Sequence, residues 1–189
     1  MQAVSDEQLI QWVANGDHSC LGTLFERHHR GVYQYCLQLT RSRAASEDLV
    51  QDVFLRILRK AKSFRGEGTF KGWMFNIARN VTLDHLRRAA RRETVADVDD
   101  GLGGQLVDHR SAEQAAAGRE YVQLLLQAMA GLPMAMREVI WLGRFEFATY
   151  EELGQALNCN AGAARVRMHR AMKQLNETYV EINGVPIDV

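Results

Sequence analysis

With 189 residues, 47% hydrophobic and 24% charged, the chain can bury one medium core or two small ones. No run of about 18 apolar residues is present, which argues against a transmembrane helix. The acidic start, from Met1 to Gln8, lacks the basic-then-apolar pattern of an export signal, so a cytoplasmic location is expected. Net charge is zero, yet residues 41–92 carry thirteen Lys/Arg against five Asp/Glu, whereas residues 97–120 carry two against six. A basic segment beside an acidic connector suits a phosphate-rich partner even though the total cancels.

Ser5 or Asp6 can cap a first short helix bearing Leu9, Ile10 and Val13, which Asn15-Gly16 ends. Asp17 opens a longer one with Leu21, Leu24, Phe25, Val32, Cys36 and Leu37 near helical spacing. The third stripe is the most regular: Leu49, Val50, Val53, Phe54, Ile57, Leu58 and Ala61. Its other face carries Glu47, Asp48 and Asp52 early and Arg56, Arg59, Lys60 and Lys62 late, the order that a helix dipole favours. Arg65-Gly66-Glu67-Gly68 breaks the pattern, and a fourth helix from about Thr69 carries Phe70, Trp73, Met74, Ile77, Ala78 and Val81.

Residues 93–118 have no sustained period and contain Asp99-Asp100-Gly101 and Gly103-Gly104, as expected for an acidic flexible connector. Helical spacing resumes with Val122, Leu125, Leu126 and Met129, ended by Gly131, and Pro133 suits the first turn of the next helix. Thr149, followed by Glu152, reads as a capping box. Asn158-Cys159-Asn160 makes a turn, with Asn158 left-handed, and Asn160 caps a last helix with Ala164, Met168, Ala171 and Leu175 inward. With only Pro133 and Pro186 and no strand-period run, the expected fold is all-α. It comprises a module over 1–92, the connector over 93–118, a second module over 119–178 and a tail over 179–189.

Two short helices joined by a three-residue turn, the second rich in arginine, have the spacing of a helix-turn-helix. The inward positions leave Arg165, Arg167, His169, Arg170 and Lys173 outward, where they can read base edges and grip phosphates. In residues 64–92, aromatics interleave with bases and amides, including Phe70, Lys71, Trp73, Asn76, Arg79, Asn80, Arg87 and Arg88. That mixture suits single-stranded nucleic acid, although Phe70, Trp73 and Ile77 also fit a core. Cys20, Cys36 and Cys159 form no CxxC pair, which argues against a disulfide framework. His28, His29 and Cys36 make a poor metal set, because adjacent histidines diverge on a helix. No metal, cofactor or enzymatic activity is expected.

Three motifs then fall in order. They are Glu47-Asp48-Leu49-Val50-Gln51-Asp52-Val53-Phe54-Leu55; then Phe64-Arg65-Gly66-Glu67 with Phe70-Lys71-Gly72-Trp73, Ile77-Ala78-Arg79-Asn80 and Asp84-His85-Leu86-Arg87-Arg88; then Leu132-Pro133, Arg137-Glu138-Val139, Tyr150-Glu151-Glu152-Leu153-Gly154 and Arg165-Val166-Arg167-Met168-His169-Arg170-Ala171. Together they resemble the extracytoplasmic-function group of the sigma-70 superfamily of bacterial RNA polymerase sigma factors, which retain sigma domains 2 and 4. The resemblance implies that Glu47, Asp48, Leu49, Gln51, Asp52, Phe54 and Leu55 dock on the clamp helices of the polymerase's largest subunit. It assigns Phe70, Lys71, Trp73, Asn76, Arg79, Asn80, Arg87 and Arg88 to the minus-ten strand. It assigns Tyr150, Glu151, Asn160, Arg165, Arg167, His169, Arg170 and Lys173 to the minus-thirty-five duplex. Core polymerase, including its flap region, and promoter DNA are the implied partners, and family members are often held by an anti-sigma factor.

Two departures stand out. Ala45 occupies a place where the family commonly has an acidic residue; Glu47 and Asp48 are expected to suffice, while phosphate on the adjacent Ser46 is the alternative source of charge. The recognition helix reads Gly162-Ala163-Ala164-Arg165-Val166-Arg167 where relatives usually have Gly-Thr-Val-Lys/Arg-Ser-Arg, which shifts the expected affinity onto Arg165, Arg167 and Arg170. The competing functions are a stand-alone helix-turn-helix regulator and, from another class, a histidine/cysteine metal protein.

Overall fold

The computed structural model describes residues 4–93 and 112–187, whose regular structure is entirely helical. Helix α1 (Asp6–Ala14) begins at Ser5, whose Oγ accepts from the Gln8 amide at 3.2 Å while Gln8 Oε1 accepts from the Ser5 amide at 3.1 Å. This reciprocal cap satisfies two otherwise orphaned donors. Asp6 then joins α1 to α2 (Ser19–Thr40) through Arg27 and His28, both at 2.6 Å. Asp17 lies just before α2 and accepts from the Ser19 hydroxyl and amide, bonds that hold its carboxyl below the usual range.

Helix α3 (Arg43–Lys60) starts earlier than its apolar stripe, because Ser42 caps the Ala45 amide at 3.3 Å. A 3-10 turn over Ala61–Ser63 and the left-handed Gly66 and Gly68 reverse the chain. Helix α4 (Phe70–Glu93) follows, with the Thr69 hydroxyl accepting from the Gly72 amide. The four helices bury Ile10, Leu24, Val32, Val53, Ile57, Phe70 and Met74 at their centre.

The second module contains α5 (Ala112–Gly131), α6 (Met134–Trp141), a π-helical turn (Leu142–Glu146), α7 (Tyr150–Ala156) and α8 (Ala161–Asn183). Helix α5 begins inside the stretch expected to be connector, so only residues 94–111 of that stretch lie outside the described residues. Helix α8 runs past the expected end of its module at residue 178. Tyr179 continues the inward row of Met168, Ala171 and Leu175 and packs on Tyr121 at 6.0 Å, and the helix stops at left-handed Gly184. Residues 179–183 are therefore helix rather than tail.

The two modules pack on each other, which no spacing or motif foreshadows. Tyr35 of α2 and Phe75 of α4 meet Trp141 of α6 at 5.9 and 6.3 Å, and Phe75 meets Phe147 edge-on at 5.6 Å. Beneath this seam, Cys36 is buried against Thr82, with Sγ and Oγ1 3.5 Å apart. Burial pushes its thiol up to about 11, and burial with Glu138 alongside raises Tyr35 well above its ordinary value. Both groups ionise more readily unfolded, so their contribution is complete below the unfolded values and lost as pH rises. Stability should fall between about pH 9 and 11, with Cys36 alone costing on the order of 2–3 kcal/mol. Denaturant titrations across that range check this, and Cys36→Ala should flatten the slope.

Candidate nucleic-acid interface

Three surfaces were expected from the motifs, and their residues divide by helical phase. On α3, Glu47, Asp48, Gln51, Asp52 and Leu55 are exposed and share one side. Leu55 is a large apolar side chain left 49% exposed at the C-terminal end of that acidic set, one turn before the exposed Arg59. Such an arrangement suits protein docking, since an apolar anchor flanked by charge combines burial with orientation. Leu49 and Phe54, expected at the same surface, are core residues instead. Phe54 packs edge-on against Phe25 at 4.9 Å, so neither side chain is presented to a partner.

Ser46 is fully buried. Its hydroxyl donates to the Ser42 carbonyl at 2.6 Å and lies 3.0 Å from the Thr40 hydroxyl. A kinase cannot reach it in the folded chain, and three phosphate oxygens would not fit there. The idea that a Ser46 phosphate replaces the missing acidic residue is therefore incorrect for the folded state.

On α4, Phe70 is also core, enclosed by Phe64, Trp73 and His28 at 6.3, 6.1 and 5.6 Å. Trp73 is partly exposed and leans on Phe64 at 5.5 Å. Asn76 and Asn80 are linked through their amides at 3.2 Å, and Asn80 is exposed. Arg87 and Arg88 are exposed and bond to Asp84 on their own helix.

Lys71 and Arg79 are placed unexpectedly. Lys71 Nζ lies 2.7 Å from Glu146 Oε2, donates to the Glu146 carbonyl at 2.6 Å, and sits over the Phe147 ring. Arg79 Nε donates to Glu138 Oε1 at 3.0 Å, and the Tyr35 hydroxyl donates to the same oxygen at 2.7 Å. Gln155 Nε2 donates to the Glu67 carbonyl at 3.1 Å, and its Oε1 accepts from the Thr69 amide at 3.1 Å. Tyr35, Glu146 and Gln155 were not singled out from the sequence, and Glu138 stood in the third motif without a role. The available signal was an acid, Glu138, set among the buried Val139, Ile140 and Trp141 of α6.

The third surface is a helix-turn-helix. The Thr149 hydroxyl caps the Glu152 amide at 3.3 Å, and Asn160 Oδ1 accepts from the Ala163 amide at 2.8 Å. Asn158 is left-handed at φ 53. Gly154 is required here: a Cβ would lie 2.6 Å from the Cys159 carbonyl oxygen, which is backbone and cannot swing away. Arg165, Arg167, His169, Arg170 and Lys173 are all exposed along α8, as are Glu151 and Asn160. Tyr150 is partly buried, with the Arg165 guanidinium 5.2 Å from its ring centroid, so the ring restricts where that arginine points.

Among the described residues, histidine and cysteine side chains do not converge on a shared point. His28 pairs with Asp6, His29 stacks on Phe25 at 4.9 Å, and among the described residues no group of three or more His, Cys, Asp or Glu is placed to hold a metal. Nor is any described helix long and apolar enough to cross a membrane.

The described residues thus join an exposed arginine-rich helix-turn-helix to a basic helical module. Residues 24–92 match the Sigma-70 region 2 family and residues 122–175 the Sigma-70, region 4 family, together well over half of the chain. The ECF RNA polymerase sigma-E factor of Escherichia coli (strain K12) is 27% identical over 181 residues, spanning 93% of this chain and 94% of that protein. The RNA polymerase sigma-H factor of Pseudomonas aeruginosa is 26% identical over 178 residues, spanning 91% and 92%. Among solved structures, CnrH in complex with the cytosolic domain of CnrY shares the fold with a TM-score of 0.67 at 22% identity, covering 95% of this chain and 99% of that one. The sigma factor RpoE, in complex with the anti-sigma factor NepR from Bartonella quintana, gives the same score and identity, covering 86% and 97%. The chain belongs to the sigma-70 family of RNA polymerase sigma factors, within the extracytoplasmic-function group.

Proposed function

We propose that this sigma factor docks on core RNA polymerase through the α3 face, reads minus-thirty-five DNA with α8, and helps open the minus-ten region along α4. The carrying observation is the pairing, on one chain, of the acidic α3 face beside Leu55 with the arginine face of α8. The first addresses a protein with basic clamp helices, and the second addresses duplex DNA. Two modest DNA anchors gain avidity once a polymerase fixes their spacing, and the second module would also meet the flap region. The strand-facing set is Lys71, Trp73, Asn76, Arg79, Asn80, Arg87 and Arg88, without Phe70. The working division is a first module to residue 92 and a second that includes all of α8, acting in the cytoplasm. An anti-sigma partner is part of the proposal, supported by neighbours of the same fold that are bound to CnrY and NepR.

The docking step is tested by titrating labelled chain with purified core polymerase. Glu47→Lys combined with Asp48→Lys should weaken binding at least about tenfold, since like charge at an interface costs several kcal/mol. Ala45→Asp should leave affinity nearly unchanged, because two carboxylates already address the clamp. Unchanged binding by the reversal variant would remove α3 as the docking element.

A further inference from the structure

We propose that Arg41 and Arg137 form a binding site for a phosphoryl oxyanion, where the end of α2 meets the turn between α5 and α6. Arg137 lies early in α6, and its Nε is enclosed without an acceptor. Among the described residues, no other enclosed side-chain nitrogen or oxygen lacks a hydrogen-bond partner. Enclosing a cationic donor unpaired is costly, and such groups in folded proteins are bonded to protein, water or an ion.

The neighbour of Arg137 across this corner is a like charge rather than an acid. Arg41 Nη2 donates to the Ala130 carbonyl at 2.7 Å, just before the Leu132-Pro133 turn that leads into α6. Burial, and then the nearby positive charge of Arg41, lower Arg137 from the usual guanidinium value. Glu138 follows Arg137 in the chain, but its carboxylate is already engaged by Tyr35 and Arg79. Arg41 itself is fixed by the backbone. It ends α2 in the left-handed conformation at φ 56, where glycine or asparagine is less strained. Ala130 takes only one of the donors that its guanidinium carries.

The charge and shape of the pair select the ligand. A phosphate dianion matches both guanidinium groups, whereas one carboxylate leaves half of the positive charge unbalanced. Phosphate also offers several oxygens, so each planar fork can form paired, charge-assisted bonds. Binding would turn a repulsive pair into a bridge between α2 and α6. The site uses none of the α3, α4 or α8 residues assigned to polymerase or DNA, so it stands apart from promoter recognition.

Isothermal titration calorimetry with inorganic phosphate, on the full chain at constant ionic strength, tests this. Saturable binding at a single site per chain is expected. Arg137→Met and Arg41→Gly should each weaken it at least about tenfold, as expected when one member of a bonded charge pair is removed. Glycine at position 41 also relieves the left-handed backbone. Arg165→Ala/Arg170→Ala removes cations of the α8 surface and should leave phosphate affinity unchanged. Thermal unfolding gives a second readout: phosphate should raise the melting temperature of the unmodified chain and not that of the two corner variants. If Arg137→Met fails to fold, as circular dichroism would reveal, Arg41→Gly decides alone. Pyrophosphate and adenosine triphosphate, titrated without a metal ion, separate the sources of the phosphoryl group. Tighter binding than phosphate with the same arginine dependence assigns the phosphate chain of a nucleotide, and equal or weaker binding assigns free phosphate. No saturable phosphate binding overturns the site, as does unchanged affinity in the corner variants or an equal loss in the α8 variant.

Discussion

Phe70→Ala should lower the stability of the protein by about 3–5 kcal/mol, the usual cost of emptying an aromatic site in a core. Phe70 has no exposed surface and is enclosed by Phe64, Trp73 and His28. Its amide also donates to Glu7 at 3.0 Å, so the ring anchors the point where α4 meets α1. For a chain of this length, the loss corresponds to a fall in melting temperature of roughly 10 °C. Thermal unfolding followed by circular dichroism measures it. Below the variant's melting transition, strand capture should be largely retained, because the ring never reaches the nucleic acid. An unchanged melting temperature with selectively lost strand binding would return Phe70 to the interface and contradict the packing described above.

Arg165→Ala should weaken recognition of minus-thirty-five DNA by about 1–3 kcal/mol, the range for losing a bidentate base contact. The neighbouring side chains make that arginine more important. Ala163, Ala164 and Val166 carry no hydroxyl that could hold a phosphate, so few other groups near it anchor the helix. Tyr150 restrains Arg165 from below, and a cation-π contact at an exposed site is worth about 0.5–1 kcal/mol. Tyr150→Ala should therefore produce a smaller loss of the same kind. Footprinting with the polymerase bound provides the measurement: intact minus-thirty-five protection in Arg165→Ala would show that other side chains read the promoter.

The sequence carried the local structure well wherever one residue's chemistry decides it. Ser5, Thr149 and Asn160 each cap a helix in the structure, and Asn158 adopts the left-handed turn that its short amide tolerates. The inward row of α8 was legible because its spacing is regular, although its continuation to Tyr179 was hidden by the polar residues between. Motif membership misled at Leu49, Phe54 and Phe70. A motif records both the residues that touch a partner and those that hold the surface in place, and only helical phase separates them. Phe54 lies one position along from Val53, on the core side, whereas Leu55 turns outward.

The seam between modules could not be read in advance for a different reason. Its partners, such as Tyr35 with Glu138 or Lys71 with Glu146, are far apart in the chain. Glu146 and Lys71 in isolation resemble ordinary solvated charges. Glu138 was the exception, since an acid amid a continuous buried row requires a donor. Arg79 and Tyr35 fill that need from the other module.

The central claim, that this chain directs core polymerase to promoters, is tested most directly by run-off transcription. Purified core enzyme is combined with the chain on a promoter library, and permanganate footprinting reports strand opening. The expected result is discrete transcripts that require both components, with reactive thymines in the minus-ten region and loss of both signals in Glu47→Lys/Asp48→Lys. Tight binding to duplex sites by the chain alone, with no core-dependent transcript from any promoter, would contradict it and identify a stand-alone helix-turn-helix regulator.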